Sequence, residues 1–179
     1  MACSSITSVA RLCGTSLIPG TEKLWMVAFK DLYNVSGTSV YTVGTSSSLV
    51  TSIGLTGSIK YQEIGFLRDS AGFDAAGTVD PTKGVAFSKN TMTFKLGDLS
   101  VTNQTFLETV MAQPVSAIFK SRTGKYYVMG LSGQLQCSGF SVTNGKSASD
   151  EVSYSITFDE IDTIVPRQVD STYVTGIIV

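Results

Sequence analysis

A mainly β domain with one embedded helix is the fold class that this sequence predicts, and three observations carry the prediction. Apolar runs of strand length recur along most of the chain. Several of them alternate with polar residues at a period of two, and Gly- or Pro-containing turns separate them. One segment alone carries a helical stripe. At 179 residues the chain fits a single domain, 1–179, and its 42% hydrophobic content suffices for a sizeable core.

The opening "MACSSITSVARLCGTSLIPG" lacks the continuous apolar core of about 7–15 residues that a signal peptide needs. No run approaches the ~20 apolar residues of a membrane span. Pro19-Gly20 is a turn signal, and "KLWMVAF" (23–29) reads as a strand with Trp25 buried in it. Residues 36–58 are rich in Ser, Thr and Gly, yet Val40, Tyr41, Val43, Leu49, Val50, Ile53 and Leu55 keep appearing. Short strands with turns at Gly37, Gly44 and Gly54 are expected there, and another strand at "SIKYQEIGF" (58–66).

Residues 67–88, "LRDSAGFDAAGTVDPTKGVAFS", carry three glycines, a proline and three aspartates, and read as a long inter-strand loop. "NTMTFKLGDLSV" then alternates Met92, Phe94 and Leu96 against Thr91, Thr93 and Lys95, the pattern of a half-buried strand. In "TNQTFLETVMAQP" the apolar residues Phe106, Leu107, Val110 and Met111 form a helical stripe. The helix is expected at about 103–113, capped by Asn103 or by a Thr105/Glu108 capping box and closed by Pro114. Strands follow at "VSAIFK", "KYYVMGL", "QLQCSGFSVT" and "VSYSITFDEID", with Val152, Tyr154, Ile156 and Phe158 facing inward. The tail "TYVTGIIV" (172–179) reads as an apolar strand whose edge needs a partner.

The chemistry is mostly negative. The chain has no histidine, which removes the commonest general base, the usual triads and most transition-metal sites. It has no nucleophile elbow, Walker loop or dinucleotide fingerprint. Asp69/Asp74/Asp80 and Asp159/Glu160/Asp162 match no calcium-loop spacing, and solvated carboxylates explain them more simply. Cys3, Cys13 and Cys137 make an odd set without a CxxC pair and read as reduced thiols. Tyr126-Tyr127 beside Lys125 reads as a strand pair before it reads as a base-stacking platform. No enzyme activity, cofactor or metal is expected. Thirteen basic against fourteen acidic residues exclude a polycation built to grip nucleic acid. Charged residues are only 15% of the chain, which fits either a Ser/Thr-coated β domain or a surface largely covered by further copies of the chain.

The order of elements resembles the C-terminal half of the tail tube proteins of tailed bacteriophages, relatives of the type VI secretion tube protein. The likeness spans 24–166 and is most persuasive over 58–162: the strand "NTMTFKL", the helix "NQTFLETVMAQ", the strand "SAIFKS", a Gly-containing turn, "GKYYVMG" and two further strands. The resemblance implies a two-sheet β-sandwich or barrel flanked by one helix. Six copies would close into a ring whose inner sheets line a lumen, and rings would stack into a tube through which double-stranded DNA passes.

By the same likeness, 67–88 becomes the extended loop that reaches a neighbour through Phe73, Val79, Val85 and Phe87. Segments 1–19 and 170–179 become inter-ring arms, the latter with Tyr173, Ile177 and Ile178 in contact. Two faces suit a lumen, Thr91/Thr93 with Ser100/Thr102, and Ser153/Ser155/Thr157/Asp159; the second is assigned to it. The implied partners are further copies and other tail proteins, with no membrane, in a virion tail assembled in the host cytoplasm. The alternatives are another ring, collar or head-decorating virion protein, or a ligand-binding β-sandwich using Trp25, Tyr126 and Tyr127. The Ser/Thr/Gly-rich stretch 36–58 departs from the family's better-known members.

Overall fold

The computed structural model describes residues 20–45, 48–147 and 150–179, so the expected arm 1–19 lies outside the described residues. Strand β1 (Thr21–Ala28) runs into a 3-10 turn (Phe29–Asp31), then β2 (Tyr41–Val43), β3 (Val50–Ile53) and β4 (Gln62–Glu63). A long hairpin follows, β5 (Gly72–Asp80) and β6 (Val85–Gly97). Helix α1 (Val101–Met111) leads to β7 (Val115–Ser121), β8 (Tyr126–Met129), β9 (Gln136–Thr143), β10 (Ser153–Asp162), β11 (Arg167–Val169) and helix α2 (Ser171–Ile177). One sheet has seven strands in the order β2-β3-β11-β8-β7-β1-β4, and the other has four in the order β5-β6-β10-β9. Neither closes on itself, so the architecture is an open sandwich and not a barrel.

Alternation along the strands makes two cores. On β1, Leu24 and Met26 face the four-stranded sheet, while Trp25 and Val27 face away from it. On β7, Val115, Ala117 and Phe119 join the first core and Ile118 the second. The first core lies between the sheets with Met92, Phe94, Leu96, Tyr154, Ile156 and Phe158, and the Phe94 and Phe158 rings stack 6.0 Å apart. The second core, with Tyr61, Val128 and Val174, covers the other face of the seven-stranded sheet. A sheet buried on both faces needs apolar residues at consecutive positions, which is why "LWMVAF" is an unbroken apolar run and "VSAIF" is interrupted only by the buried Ser116.

The helix starts two residues before its expected position. Ser100 is the cap, its hydroxyl accepting from the Asn103 amide at 3.4 Å. The Asn103 side chain instead donates to the carbonyls of Gly97 (2.9 Å) and Asp98 (3.0 Å). Leu107 and Val110 are buried against the first core, whereas Met111 is exposed.

Three other expectations are corrected. Residues 67–88 are largely a β-ribbon, paired without interruption from Gly72 opposite Thr93 to Asp80 opposite Val85. Its turn is held by the Asp80 carboxylate, which accepts from the amides of Thr82 and Lys83, and by Gly84 at φ +65°. Beyond Phe73 the β5 strand stands clear of the cores with both faces in solvent, so no period-two apolar pattern marks it. The tail is helical: Asp170 caps α2 by accepting from the Thr172 amide at 2.8 Å, Tyr173, Val174 and Ile177 fall on one helical stripe packed in the second core, and Ile178 follows the helix in extended backbone against the same core. Its β-branched residues disguise that stripe as a strand. Third, the strand expected at 58–66 shrinks to the two residues of β4, because β1 pairs with it only at Trp25 and Met26.

Candidate assembly interface

β10 presents Tyr154, Ile156 and Phe158 to the first core, so Ser155, Thr157 and Asp159 lie on the outer face of the four-stranded sheet. Thr93 and Thr91 on β6 are the cross-strand neighbours of Thr157 and Asp159. The pairs Thr91/Thr93 and Thr157/Asp159, drawn from two separate candidate faces, therefore share one surface. Ser100 and Thr102 do not join it, because they begin α1. Ser153 has the right parity but is 2% exposed, its hydroxyl donating to Glu151.

Polar residues dominate this face, and its two lysines are paired with carboxylates. Lys89 lies 3.1 Å from Asp159, and Lys95 lies 2.9 Å from Glu151. Partial burial opposes ionisation of Asp159, but hydrogen bonds from Thr91 (2.8 Å) and Lys89 outweigh it and hold the carboxyl below its ordinary range. Ser141 and Thr143 on β9, opposite Ser155 and Ser153, extend the small polar surface, which sequence reasoning missed.

Two edges bound the sheet. Among the described residues β5 pairs only with β6, and β9 only with β10. The three pairings are all antiparallel, so β5 and β9 run in opposite directions. β9 reads "QCSGFSVT", with no charge and no proline to discourage another strand from adding to it. Phe140 and Val142 lie opposite Ile156 and Tyr154, on the core side of the sheet, yet each is 50% exposed because nothing covers that edge.

The sequence-predicted contact residues divide into two groups. Val79 (73% exposed) and Val85 (41%) stand on the ribbon, free to meet another molecule. Phe87 is half-buried. Phe73 belongs to the chain's own packing, its ring 5.0 Å from Phe119 and 5.4 Å from Tyr127. Tyr173, Ile177 and Ile178 are likewise packed within the chain. The Tyr173 hydroxyl accepts from the Ile53 amide (2.8 Å) and donates to the Ile53 carbonyl (2.7 Å), and Ile178 bridges Tyr61. The tail thus finds its pairing internally, and the expected unpaired edge is absent from it.

One carboxylate that the sequence reads as solvated, Glu160, is instead buried. Glu160 continues the inward parity of Tyr154, Ile156 and Phe158, and that parity is the signal that would have found it. It is 4% exposed, and its two carboxylate oxygens accept from Asn90 Nδ2 (3.0 Å) and the Gly130 amide (3.0 Å). Asn90 in turn accepts from Ser88 at 2.7 Å. Burial pushes the Glu160 carboxyl above its ordinary range, with Asp162 adding to the rise and the two hydrogen bonds opposing it. The group ties the four-stranded sheet to the turn after β8.

The aromatic platform of a ligand-binding sandwich is not assembled. Trp25 is 2% exposed, and Tyr126 and Tyr127 diverge to opposite faces, one toward Trp25 and the other toward Phe73. No cluster of three or more potential metal ligands occurs among the described residues. Compared with known proteins, the chain matches no family model, no curated protein and no solved structure.

Proposed function

We propose that the chain is a structural virion protein, a phage tail tube subunit that closes into hexameric rings and stacks into a tube. The observation that carries this reading is the four-stranded sheet with two open edges of opposite direction and a polar outer face. Rotation about a ring axis leaves strand direction unchanged, so β9 of one copy arrives antiparallel beside β5 of the next. Every copy then uses one edge of each kind, and the ring closes without a free edge. The joined outer faces form the lumen.

Ser155, Thr157, Thr93 and Ser141 offer small polar groups there, and the two lysines are each engaged by a carboxylate. Double-stranded DNA would pass such a wall without multiple phosphate contacts to hold it. The hairpin ribbon bearing Val79 and Val85 reaches a neighbouring copy or ring, since a lone two-stranded ribbon is marginal in water. In this reading the protein is not an enzyme and needs no cofactor. Its partners are itself and other tail proteins, in a virion assembled in the host cytoplasm.

The test is analytical ultracentrifugation with negative-stain imaging across a concentration series. Rings and tubes are the expected result. Protein that stays monomeric at high concentration with no rings rejects the reading, and rings that never stack make it a collar or head ring instead.

A further inference from the structure

We infer that β5 of one copy pairs with β9 of the next in one particular register, with Asp74 beside Ser141 and Ala75 beside Phe140. This rests on the ring reading above and adds to it the alignment of the joint.

The argument starts from a stagger inside the sheet. Gly72, the first residue of β5, is level with Thr93, Thr157 and Gly139, which is already midway along β9. Asp74 is level with Asp159 and with Gln136, the first residue of β9. Gly77 is level with Asp162, where β10 ends, and β5 continues to Asp80. The two edges are therefore displaced along the strand direction by roughly half a strand.

A flat sheet has no use for that displacement, but a closed one does. Barrel strands tilt by about 35–45° from the axis, and four strands about 4.8 Å apart span about 19 Å. Closing edge to edge then requires a step of about 13–19 Å along the strands, or about four to six residues. The step depends on the tilt and the strands per copy, and not on the number of copies. The stagger of this sheet is of that size, so it brings β5 alongside β9 of the next copy.

Side-chain parity selects among the neighbouring alignments. A continuous sheet must match the outward residues Gly72, Asp74 and Ala76 with the outward residues Thr143, Ser141 and Gly139. Of the alignments with this parity, Gly72 opposite Thr143 is the one that begins flush, with the first residue of β5 against the last of β9, and it keeps like-facing residues together as far as Gly139, where the bulge at Ser138 ends the match. On the core side it sets the half-exposed Val142 beside Phe73 and the half-exposed Phe140 beside Ala75, with Gly77 next along the strand. The small residues of β5 leave room for the large ones of β9. The Asp74 carboxylate meets the Ser141 hydroxyl and no acidic residue, because β9 carries none.

Cysteine cross-linking tests the register. In a chain with Cys3, Cys13 and Cys137 replaced by Ser, Asp74→Cys with Ser141→Cys should give a covalent ladder under mild oxidation. Asp74→Cys with Gly139→Cys or with Thr143→Cys should not, because residues two positions off lie too far apart for a disulfide. A ladder from either shifted pair, or rings without any ladder, overturns the register while leaving the ring reading intact. Absence of rings in the parent protein sinks the ring reading itself. A second test avoids oxidation. Ala75→Glu and Phe140→Lys should each abolish rings, and the double variant should restore them by placing opposite charges side by side. Rings in either single variant, or no recovery in the double, overturn the inference.

Discussion

Replacing Glu160 with Gln probes the buried tie between the sheets. The carboxylate is acceptor-only and faces two donors, Asn90 Nδ2 and the Gly130 amide, each at 3.0 Å. A glutamine of the same shape has one acceptor and one donor, so whichever way its amide is turned, one N–H group is set against another. An unsatisfied buried donor costs about 1–3 kcal/mol. Relief of the buried charge offsets part of this, so a net loss of about 1–2 kcal/mol at neutral pH is expected. The pH dependence gives a sharper result. The folded-state carboxyl titrates above its unfolded value, so the stability that Glu160 contributes is fully present below the unfolded pKa and is lost as pH rises through the folded one. Urea denaturation of both proteins across the range from pH 7 toward about 4.3, the unfolded glutamate value, isolates this term, because the other titrating groups cancel in the difference. The gap between wild type and Glu160→Gln should widen on acidification. A gap that narrows, or a variant at least as stable as wild type at every pH, refutes the account of Glu160.

Three further outcomes follow from the same structure. Gly130→Ala should cost at least about 2 kcal/mol in chemical denaturation, because Gly130 sits at φ +78° and a Cβ there runs into the Val115 carbonyl oxygen. Tyr173→Phe removes a hydroxyl bonded to both the amide and the carbonyl of Ile53, and a loss of about 1–2 kcal/mol should appear as a lowered urea midpoint. Val79→Ser, on the exposed ribbon, should change monomer stability by no more than about 0.5 kcal/mol yet shift the sedimentation profile toward smaller species.

The sequence was legible where burial imposed a pattern. Met92, Phe94 and Leu96 alternate because β6 has one face in the core, and the run "LWMVAF" is continuous because β1 is covered on both sides. The pattern fails where burial does. β5 beyond Phe73 has solvent on both faces, so nothing in "DAAGTV" distinguishes a strand from a loop, although the turn signal "DPTKG" was present in the sequence. In α2 the conflict ran the other way. Thr, Val and Ile favour strands by propensity, but the capping Asp170 and the burial of Val174 decide for helix. The outer-face residues Thr157 and Asp159 could be named from alternation, whereas their adjacency to Thr93 and Thr91 is a matter of long-range register.

The seven-stranded sheet belongs to both cores at once, and this bears on how the molecule opens. β7 lies between β1, which pairs along its whole length, and β8, which pairs with it from Ala117 to Lys120, and its residues Val115–Phe119 are all buried. Lifting α2 away would expose the second core and leave the inter-sheet core intact. Peeling β9 away would expose part of the inter-sheet core and leave the second core intact. Neither opening frees β7, which can be released only when both layers are lost together. Amide protons should therefore exchange in a graded order, first in the hairpin ribbon, then in α2 and β9, and last in β7, at the free energy of global unfolding. A chain built this way can remodel its outer layers while its central strands hold the fold.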